Sequence, residues 1–118
     1  MNSKKKLKVR ATKSFARNLK HIARKRRGIE ELVFSKALEL ADSPETGVLI
    51  PGTGEMLRKV RLPDPSSGKG KRGGFRLIYA WKEGFDTITL CLVYPKSDKP
   101  DASASELEKA LREIEAAL

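Results

Sequence analysis

A chain of 118 residues, 39% hydrophobic and 34% charged, is long enough for one modest hydrophobic core and too short for two, which predicts a single domain spanning 1–118. No apolar run approaches the ~20 residues needed to cross a bilayer, and no apolar segment follows the basic N-terminus as a signal peptide requires, so we expect a cytoplasmic protein without membrane contact. One cysteine, Cys91, excludes an internal disulfide, and with a single histidine there is no plausible zinc site, so we predict no metal and no other cofactor.

The net charge of +10 is divided unevenly along the chain. Residues 1–27 hold twelve Lys or Arg and no acid, 28–54 hold one against five, 55–100 hold ten against five, and 101–118 hold two against five. This balance favours a polyanionic partner, most simply nucleic acid bound through its phosphates, and a merely soluble basic surface is the alternative interpretation.

The first third of the chain predicts a short strand and two helices. Residues 1–6 form a basic lead that we predict to be disordered, and Leu7–Ala11 could add an edge strand. From Thr12 to Arg27, apolar residues recur at helical spacing and predict an amphipathic helix with a very basic outer face. We expect His21 to lie on that solvent side without a catalytic role.

The segment Ile29–Asp42 predicts a second helix with a broad apolar face that includes Phe34 and Leu38. Because Gly28 separates the two helices, we expect a helical hairpin packed on one side of a sheet. The exposed cations of the first helix are candidate contacts to nucleic acid: Arg17, Lys20 and Arg24.

Three later runs have the composition and period of strands. The first, Met56–Leu62, alternates so that Met56, Arg58, Val60 and Leu62 line one face while Leu57, Lys59 and Arg61 line the other. In the second, from Gly74 to Lys82, Arg76 is the lone charge, with Ile78 and Ala80 on its face and Phe75, Leu77, Tyr79 and Trp81 on the opposite face. The third, Thr87–Tyr94, is almost uninterruptedly apolar, as a central strand is, and Pro95 should end its ladder just before Lys96.

Two loops connect these runs. Ser43–Gly54 contains Val48–Ile50, which can pack, so we expect this loop to be ordered. Pro63–Gly74 contains GKGKRG, which formally matches the dinucleotide-binding glycine pattern but lacks the helix that must follow it. What remains is a flexible loop whose cations suit backbone phosphates: Lys69, Lys71 and Arg72.

The chain ends with a capping-box signature at Ser103–Glu106 and a helical pattern of Leu107, Leu111, Ile114 and Leu118. The predicted fold class is therefore α+β: a small, antiparallel-dominated sheet of about four strands, an N-terminal helical hairpin on one face and a C-terminal helix.

The succession LRKVRLP, a Gly and Lys loop, GGFRLIYAW, LCLVYPKSDKPD and an acidic helix resembles the RelE/HigB group of bacterial toxin–antitoxin toxins, within the RelE/ParE superfamily. PGTG before the first of these strands and the FARNLKHIARK helix resemble its HigB-like branch. The resemblance extends from about Lys13 to the end of the chain. It implies a compact sheet on a helical hairpin and a metal-independent endoribonuclease that cleaves mRNA in the decoding site of the small ribosomal subunit. It also implies a small antitoxin partner, with a helix-turn-helix domain, in a hetero-oligomer that leaves the free toxin monomeric.

The resemblance assigns a catalytic set on three strands: Lys59, Arg61, Arg76 and Lys96. Where many members place a tyrosine near the start of the last helix, this chain has Asp101–Ser103, and Tyr94 could stand in. The alternative for Tyr94 is a core tyrosine hydrogen-bonded through its hydroxyl. Lys99, with Tyr94, is a further candidate RNA contact.

The residue types suit RNA cleavage by the 2′-hydroxyl. Arg76 and Arg61 can stabilise the charge that develops on phosphate, and Lys59 or Lys96 can exchange protons if crowded by other cations. The structural alternatives are solvated strand residues for Lys59 and Arg61 and a buried ion pair for Arg76. The functional alternatives are a ParE-type inhibitor of DNA gyrase, which hydrolyses nothing, and a non-catalytic RNA-binding module.

Overall fold

The computed structural model of the chain describes residues 6–64 and 74–117. This part of the chain contains the following strands and α-helices, in order: β1 (Lys8–Ala11), α1 (Lys13–Ala23), α2 (Ile29–Asp42), β2 (Val48–Leu49), β3 (Leu57–Leu62), β4 (Phe75–Ala80), β5 (Thr87–Pro95) and α3 (Ala104–Ala117). A single 3₁₀ turn, Pro44–Thr46, precedes β2.

The strands form one sheet in the order β1-β5-β4-β3-β2. β5 is an interior strand, next to the edge strand β1, as its apolar sequence predicts; it pairs antiparallel with β4 and parallel with β1. A bulge lies in the β4–β5 ladder, because Ile78 is opposite Leu92 whereas Tyr79 is opposite Leu90, which leaves Cys91 as the extra residue.

The sheet is covered on both faces. The helical hairpin α1–α2 packs on one face, which we call the hairpin face, over a core of residues such as Phe15, Val33, Leu77 and Val93. α3 packs on the other, the α3 face, where Ala110 and Ile114 contact a smaller apolar cluster. The alternation of β3 and β4 determines which side chains enter each layer.

Both helices of the hairpin begin at identifiable residues. The Thr12 hydroxyl caps α1 by accepting from the backbone N–H of Phe15 at 3.0 Å. The helix ends at Ala23, four residues before the predicted end, because the chain turns through Lys25 and Arg26, whose N–H groups donate to Ile22. Gly28, at a φ of 86°, then sets the start of α2.

The predicted capping box of α3 is confirmed. The backbone N–H of Ser103 donates to Glu106 Oε1 at 2.9 Å, and the backbone N–H of Glu106 donates to Ser103 Oγ at 3.1 Å. This reciprocal pair fixes where α3 begins, and with it the position of the residues just before the helix.

The predicted α+β class and hairpin are confirmed, and the sheet differs in three details. It has five strands rather than about four, since Val48–Leu49 pairs with β3. Met56 lies before β3 and packs with the α3-face cluster, not with Val60. β5 includes Pro95, one residue beyond the predicted Tyr94, and ends just before Lys96 as predicted, although Lys96 still donates its N–H to Gly74 at 3.1 Å.

The apolar face predicted for α2 is too broad. Phe34 and Leu38 are 65% and 48% exposed, so the sheet covers only the opposite side of this helix. None of the helices in the described part of the chain has the length and apolar content needed to span a membrane.

Candidate nucleic-acid-binding and catalytic site

Three cations lie together on the α3 face of the sheet. Leu57 belongs to the α3-face cluster, so the alternation of β3 places Lys59 and Arg61 on that face, and Ile78 places Arg76 there from β4. The strand register sets Arg61 opposite Arg76, and Arg76 opposite Tyr94. This cross-strand row of two guanidiniums and a phenol is the centre of the candidate site.

The row is electrostatically unfavourable by itself. Directly opposite residues in an antiparallel pair have Cβ atoms about 4.5–5.5 Å apart, and like charges there are destabilising. Arg76 is partly exposed and Arg61 is exposed, and within the described ranges neither guanidinium forms a hydrogen bond or ion pair with another side chain. Arg76 is thus not the buried, ion-paired residue that the structural alternative requires. The guanidiniums of Arg61 and Arg76 can both reach a ligand.

Lys59 lies one row further along β3, opposite Ile78. Its ammonium contacts a carboxylate instead of a cation: Nζ is 3.0 Å from Oδ1 of Asp101, in an ion pair open to solvent. The two residues flank a cavity of about 210 Å³ between the sheet and the start of α3, which we call the sheet cavity. It is lined by Ile50, Pro51, Lys59, Ile78, Tyr94, Asp101, Ala102 and Leu107.

Tyr94 is a core residue, as one of the two interpretations expects, but its buried hydroxyl has no partner at ordinary hydrogen-bond geometry among the described residues. The backbone of Ala102 lies near enough to act on its pKa without completing a hydrogen bond of ordinary geometry. Burial raises the pKa of Tyr94, the Asp101 carboxylate raises it further, and Arg76 counteracts both. The phenol is therefore held protonated at the wall of the sheet cavity.

Lys96 and Lys99 follow β5 at the same end of the sheet. The backbone of Lys96 pairs with Gly74, one residue before β4, and its side chain is exposed. Lys99 Nζ lies 5.2 Å from the centre of the Tyr94 ring and 2.5 Å from the Glu106 carboxylate.

Although burial favours a higher pKa for Glu106, the hydrogen bonds from Lys99 and Ser103 outweigh it and lower that pKa. Glu106 therefore joins the α3 cap to the cations near Tyr94.

The cations of α1 do not join this site. Phe15, Leu19 and Ile22 pack α1 into the hairpin-face core, on the side of the sheet opposite Lys59. The predicted contacts of this helix are exposed there: Arg17, Lys20 and Arg24. The predicted loop contacts, Lys69, Lys71 and Arg72, lie outside the described residues, as do residues 1–5 of the predicted disordered lead.

Sequence reasoning missed Asp101. Asp101 contacts Lys59, which lies 42 positions earlier in the chain. The only local signal was that residues 101–103 stand where many members of the family have a tyrosine. It also left Arg58 without a role. The Arg58 guanidinium turns to the hairpin face, donates to the backbone oxygens of Glu45 and Gly47 at 3.1 and 2.8 Å, and lies 5.9 Å from the Trp81 ring.

The remaining candidate groups are not catalytic in their surroundings. Cys91 is buried, and burial raises the pKa of its thiol to about 12, which keeps it from acting as a thiolate nucleophile. His21 is exposed on α1. Within residues 6–64 and 74–117, no three His, Cys, Asp or Glu side chains are grouped so as to hold a metal ion.

The fold just described, a mixed sheet with a helical hairpin on one face and a single helix on the other, is similar to that of a solved RelE toxin, as the sequence resemblance implied. The chain is similar to the E. coli toxin RelE, whose structure as a double arginine-to-alanine mutant in the free state superposes with a TM-score of 0.58 over 97% of this chain and 100% of that one. Sequence identity is 18%, so the likeness establishes the fold. No family model matches the sequence.

Proposed function

We propose that the protein is a toxin of the RelE type, a ribosome-dependent endoribonuclease that cuts mRNA in the decoding site and is neutralised by an antitoxin. The observation that carries this proposal is the row of Arg61, Arg76 and Tyr94, next to Lys59. Two opposed guanidiniums cost stability, and an oxyanion between them removes that cost.

The arginines suit the part of the reaction in which charge develops. Attack of the RNA 2′-hydroxyl on the adjacent phosphorus puts additional negative charge on the non-bridging oxygens. Guanidiniums stay protonated and bind two oxygens at once, so Arg61 and Arg76 can stabilise the pentavalent phosphorus without moving a proton.

The proton transfers require other groups. Tyr94, whose pKa is raised, is a neutral O–H donor and suits protonation of the departing 5′-oxygen. The Lys59 ammonium, in its ion pair with Asp101, has no lone pair for a proton and suits binding of the phosphate. The 2′-hydroxyl proton needs a lysine in its neutral form, and Lys96, which forms no ion pair among the described residues, is the candidate at the end of the strand. Lys99 beside the Tyr94 ring adds a cation to the same end of the site.

The likeness to a RelE toxin supports an antitoxin partner and cytoplasmic action. The PGTG string and the FARNLKHIARK helix support the HigB-like branch. The free protein should be a monomer that forms a hetero-oligomer with the antitoxin.

The test is to incubate the purified protein with translating ribosomes and map the new mRNA ends. Cuts in phase with codons, absent when ribosomes are omitted, support the proposal. Inhibition of DNA gyrase without cutting would instead identify a ParE-type inhibitor, and retention of RNA without cutting a binding module.

A further inference from the structure

The solvent side of α2 is apolar where an ordinary surface helix is polar. Phe34 and Leu38 lie one turn apart on this side, 65% and 48% exposed, while Ile29, Val33 and Leu40 fill the hairpin-face core from the opposite side. A helix that is apolar on both sides is typical of an element covered on both sides.

The same side carries the opposite charge to the rest of the chain. Residues 28–54 hold five acids and one base in a protein of net charge +10. That base, Lys36, is paired with Glu39 at 3.0 Å, so the exposed carboxylates around Phe34 and Leu38 are Glu30, Glu31 and Asp42.

We propose that this side of α2 is a docking surface for a helix of a partner protein that presents a short apolar ridge between basic side chains. Phe34 and Leu38 form an i, i+4 ridge, which packs into the groove of a second helix. Glu31 and Asp42 are eleven residues apart, or roughly 16 Å along the helix at about 1.5 Å per residue, so the partner helix carries Lys or Arg on both sides of its apolar residues.

A second copy of this chain fits the surface poorly. In an isologous contact the same patch of the two copies packs on itself, which would bring the carboxylates around Leu38 of one copy near those of the other. RNA is repelled by the same carboxylates. The negative charge of this surface therefore favours a basic helix of a different protein over a second copy of the chain or RNA.

The surface lies on the far side of the sheet from Lys59, Arg61 and Arg76, because α2 packs on the hairpin face. A partner bound there leaves the cation site open to RNA. The inference does not depend on the nuclease proposal.

The test measures binding of a fluorescent, lactam-bridged helical peptide that has two leucines one turn apart and lysines on both sides of them. A peptide with glutamates in place of the lysines is the charge control. Leu38→Lys disrupts the ridge, and Val48→Lys is its control, since Val48 is likewise an exposed apolar residue, at 65% against 48% for Leu38, but lies on β2.

We expect the lysine peptide to bind wild type and Val48→Lys with equal affinity. It should bind Leu38→Lys at least about tenfold more weakly, which corresponds to a loss of about 1.4 kcal/mol in binding free energy. The glutamate peptide should bind none of the three proteins. Glu31→Lys, an exposed position, should weaken binding too, and it serves as the test should Leu38→Lys fail to fold by circular dichroism. Equal binding to all variants, or no binding to wild type up to about 1 mM, overturns the proposal. So does a wild-type dimer that Leu38→Lys converts to monomer in sedimentation.

Cleavage assays on the same samples separate the two proposals. Peptide binding by a protein that cuts no mRNA supports the docking surface and counts only against the nuclease. Normal mRNA cutting by a protein that does not bind the peptide supports the nuclease and counts only against the docking surface.

Discussion

Arg76 occupies the middle of the row that the strand register creates, with Arg61 on one side and Tyr94 on the other. Its guanidinium has no protein partner within the described ranges. An arginine opposite another arginine on a partly covered face lowers stability, so its presence requires a reason other than stability. In our proposal that reason is phosphate binding.

Arg76→Ala should abolish cutting while the protein stays folded. Loss of one donor to a developing oxyanion reduces a rate by about a hundredfold or more, whereas relief of the charge opposed to Arg61 should leave the melting temperature unchanged or slightly higher. Arg27→Ala, which removes the same charge from the exposed turn after α1, is the control and should cut normally. Cleavage at the parent rate by Arg76→Ala would remove Arg76 from the mechanism.

Asp101 already occupies the position that a phosphate must take on Lys59, with 3.0 Å between Oδ1 and Nζ. Asp101→Asn should therefore tighten binding of a 2′-deoxy analogue of the RNA, which cannot be cut. The Coulomb energy of one exposed pair, about 1 kcal/mol, corresponds to about fivefold in Kd.

The stability of Asp101→Asn should change by less than about 1 kcal/mol, because both partners are open to solvent. Asp98→Asn, at an exposed position before the cavity, is the matched charge control. If the two variants bind the analogue with equal affinity, Asp101 does not compete with RNA for Lys59.

The Tyr94 hydroxyl can be removed to test its role in cutting without an expected loss of stability. Tyr94→Phe removes a buried polar atom that forms no hydrogen bond within the described residues, so the free energy of unfolding should stay the same or rise by up to about 1 kcal/mol. Cutting should slow if the phenol protonates the 5′-oxygen. Urea denaturation and single-turnover cleavage on one preparation measure both; an unimpaired rate would leave Tyr94 a packing residue.

At the scale of elements, the segment from Pro44 to β2 buttresses the strand that carries Lys59. The Tyr79 hydroxyl donates to the Pro44 carbonyl at 2.6 Å and accepts from the Gly47 N–H at 2.8 Å. Gly47 packs so closely that a Cβ there would lie 2.8 Å from Tyr79 and 3.0 Å from the carbonyl oxygen of Lys59.

Gly47→Ala should destabilise the protein by about 1–3 kcal/mol, since the close contacts force the loop away from the sheet. Urea denaturation measures the loss. Glu45→Ala, an exposed neighbour in the same segment, should change stability by less than about 0.5 kcal/mol.

The cost of Gly47→Ala should shrink by at least about 0.5 kcal/mol in a Tyr79→Phe background, because the hydroxyl oxygen is absent there, although Cε1, also 2.8 Å from the added Cβ, remains. Equal costs in the two backgrounds would show that the Tyr79 hydroxyl does not determine the packing of this loop.

Local periodicity explains how much of these elements the sequence predicts. Period-2 alternation placed Lys59 and Arg61 on one face, and Gly28 correctly bounded α2. β2 could not be predicted, because two residues carry no periodic signal and their pairing depends on the distant Tyr79 and Arg58. The period of α2 identified its apolar residues but not which of them the sheet would cover.

The site itself was only partly predictable for the same reason. Strand parity brings Arg76 to Arg61, but the contact between Lys59 and Asp101 depends on how α3 crosses the sheet. The early end of α1 at Ala23 arises in a run of cations that has no apolar period to mark a boundary.

At the scale of the whole molecule, the sheet separates the cations on its α3 face from those on its hairpin face. One basic set, Lys59, Arg61 and Arg76, lies on the α3 face, and the basic surface of α1 belongs to the hairpin side, together with the acidic side of α2. Among residues 6–64 and 74–117, these two basic sets are therefore separate surfaces, and a short RNA cannot contact both of them through the sheet.

Salt dependence tests this division. Each cation that neutralises a phosphate of single-stranded nucleic acid contributes about 0.7 to the slope of log Kd against log salt concentration. For an uncleavable RNA of about five nucleotides, Arg61→Ala should lower that slope by about 0.7, and Lys20→Ala, with the same loss of charge on α1, should leave it unchanged. With intact ribosomes, whose RNA is large enough to surround the protein, both substitutions should reduce the slope, but only Arg61→Ala should slow cutting. If Lys20→Ala weakens the short RNA as much as Arg61→Ala does, the two basic sets act as one surface and the site extends around the edge of the sheet.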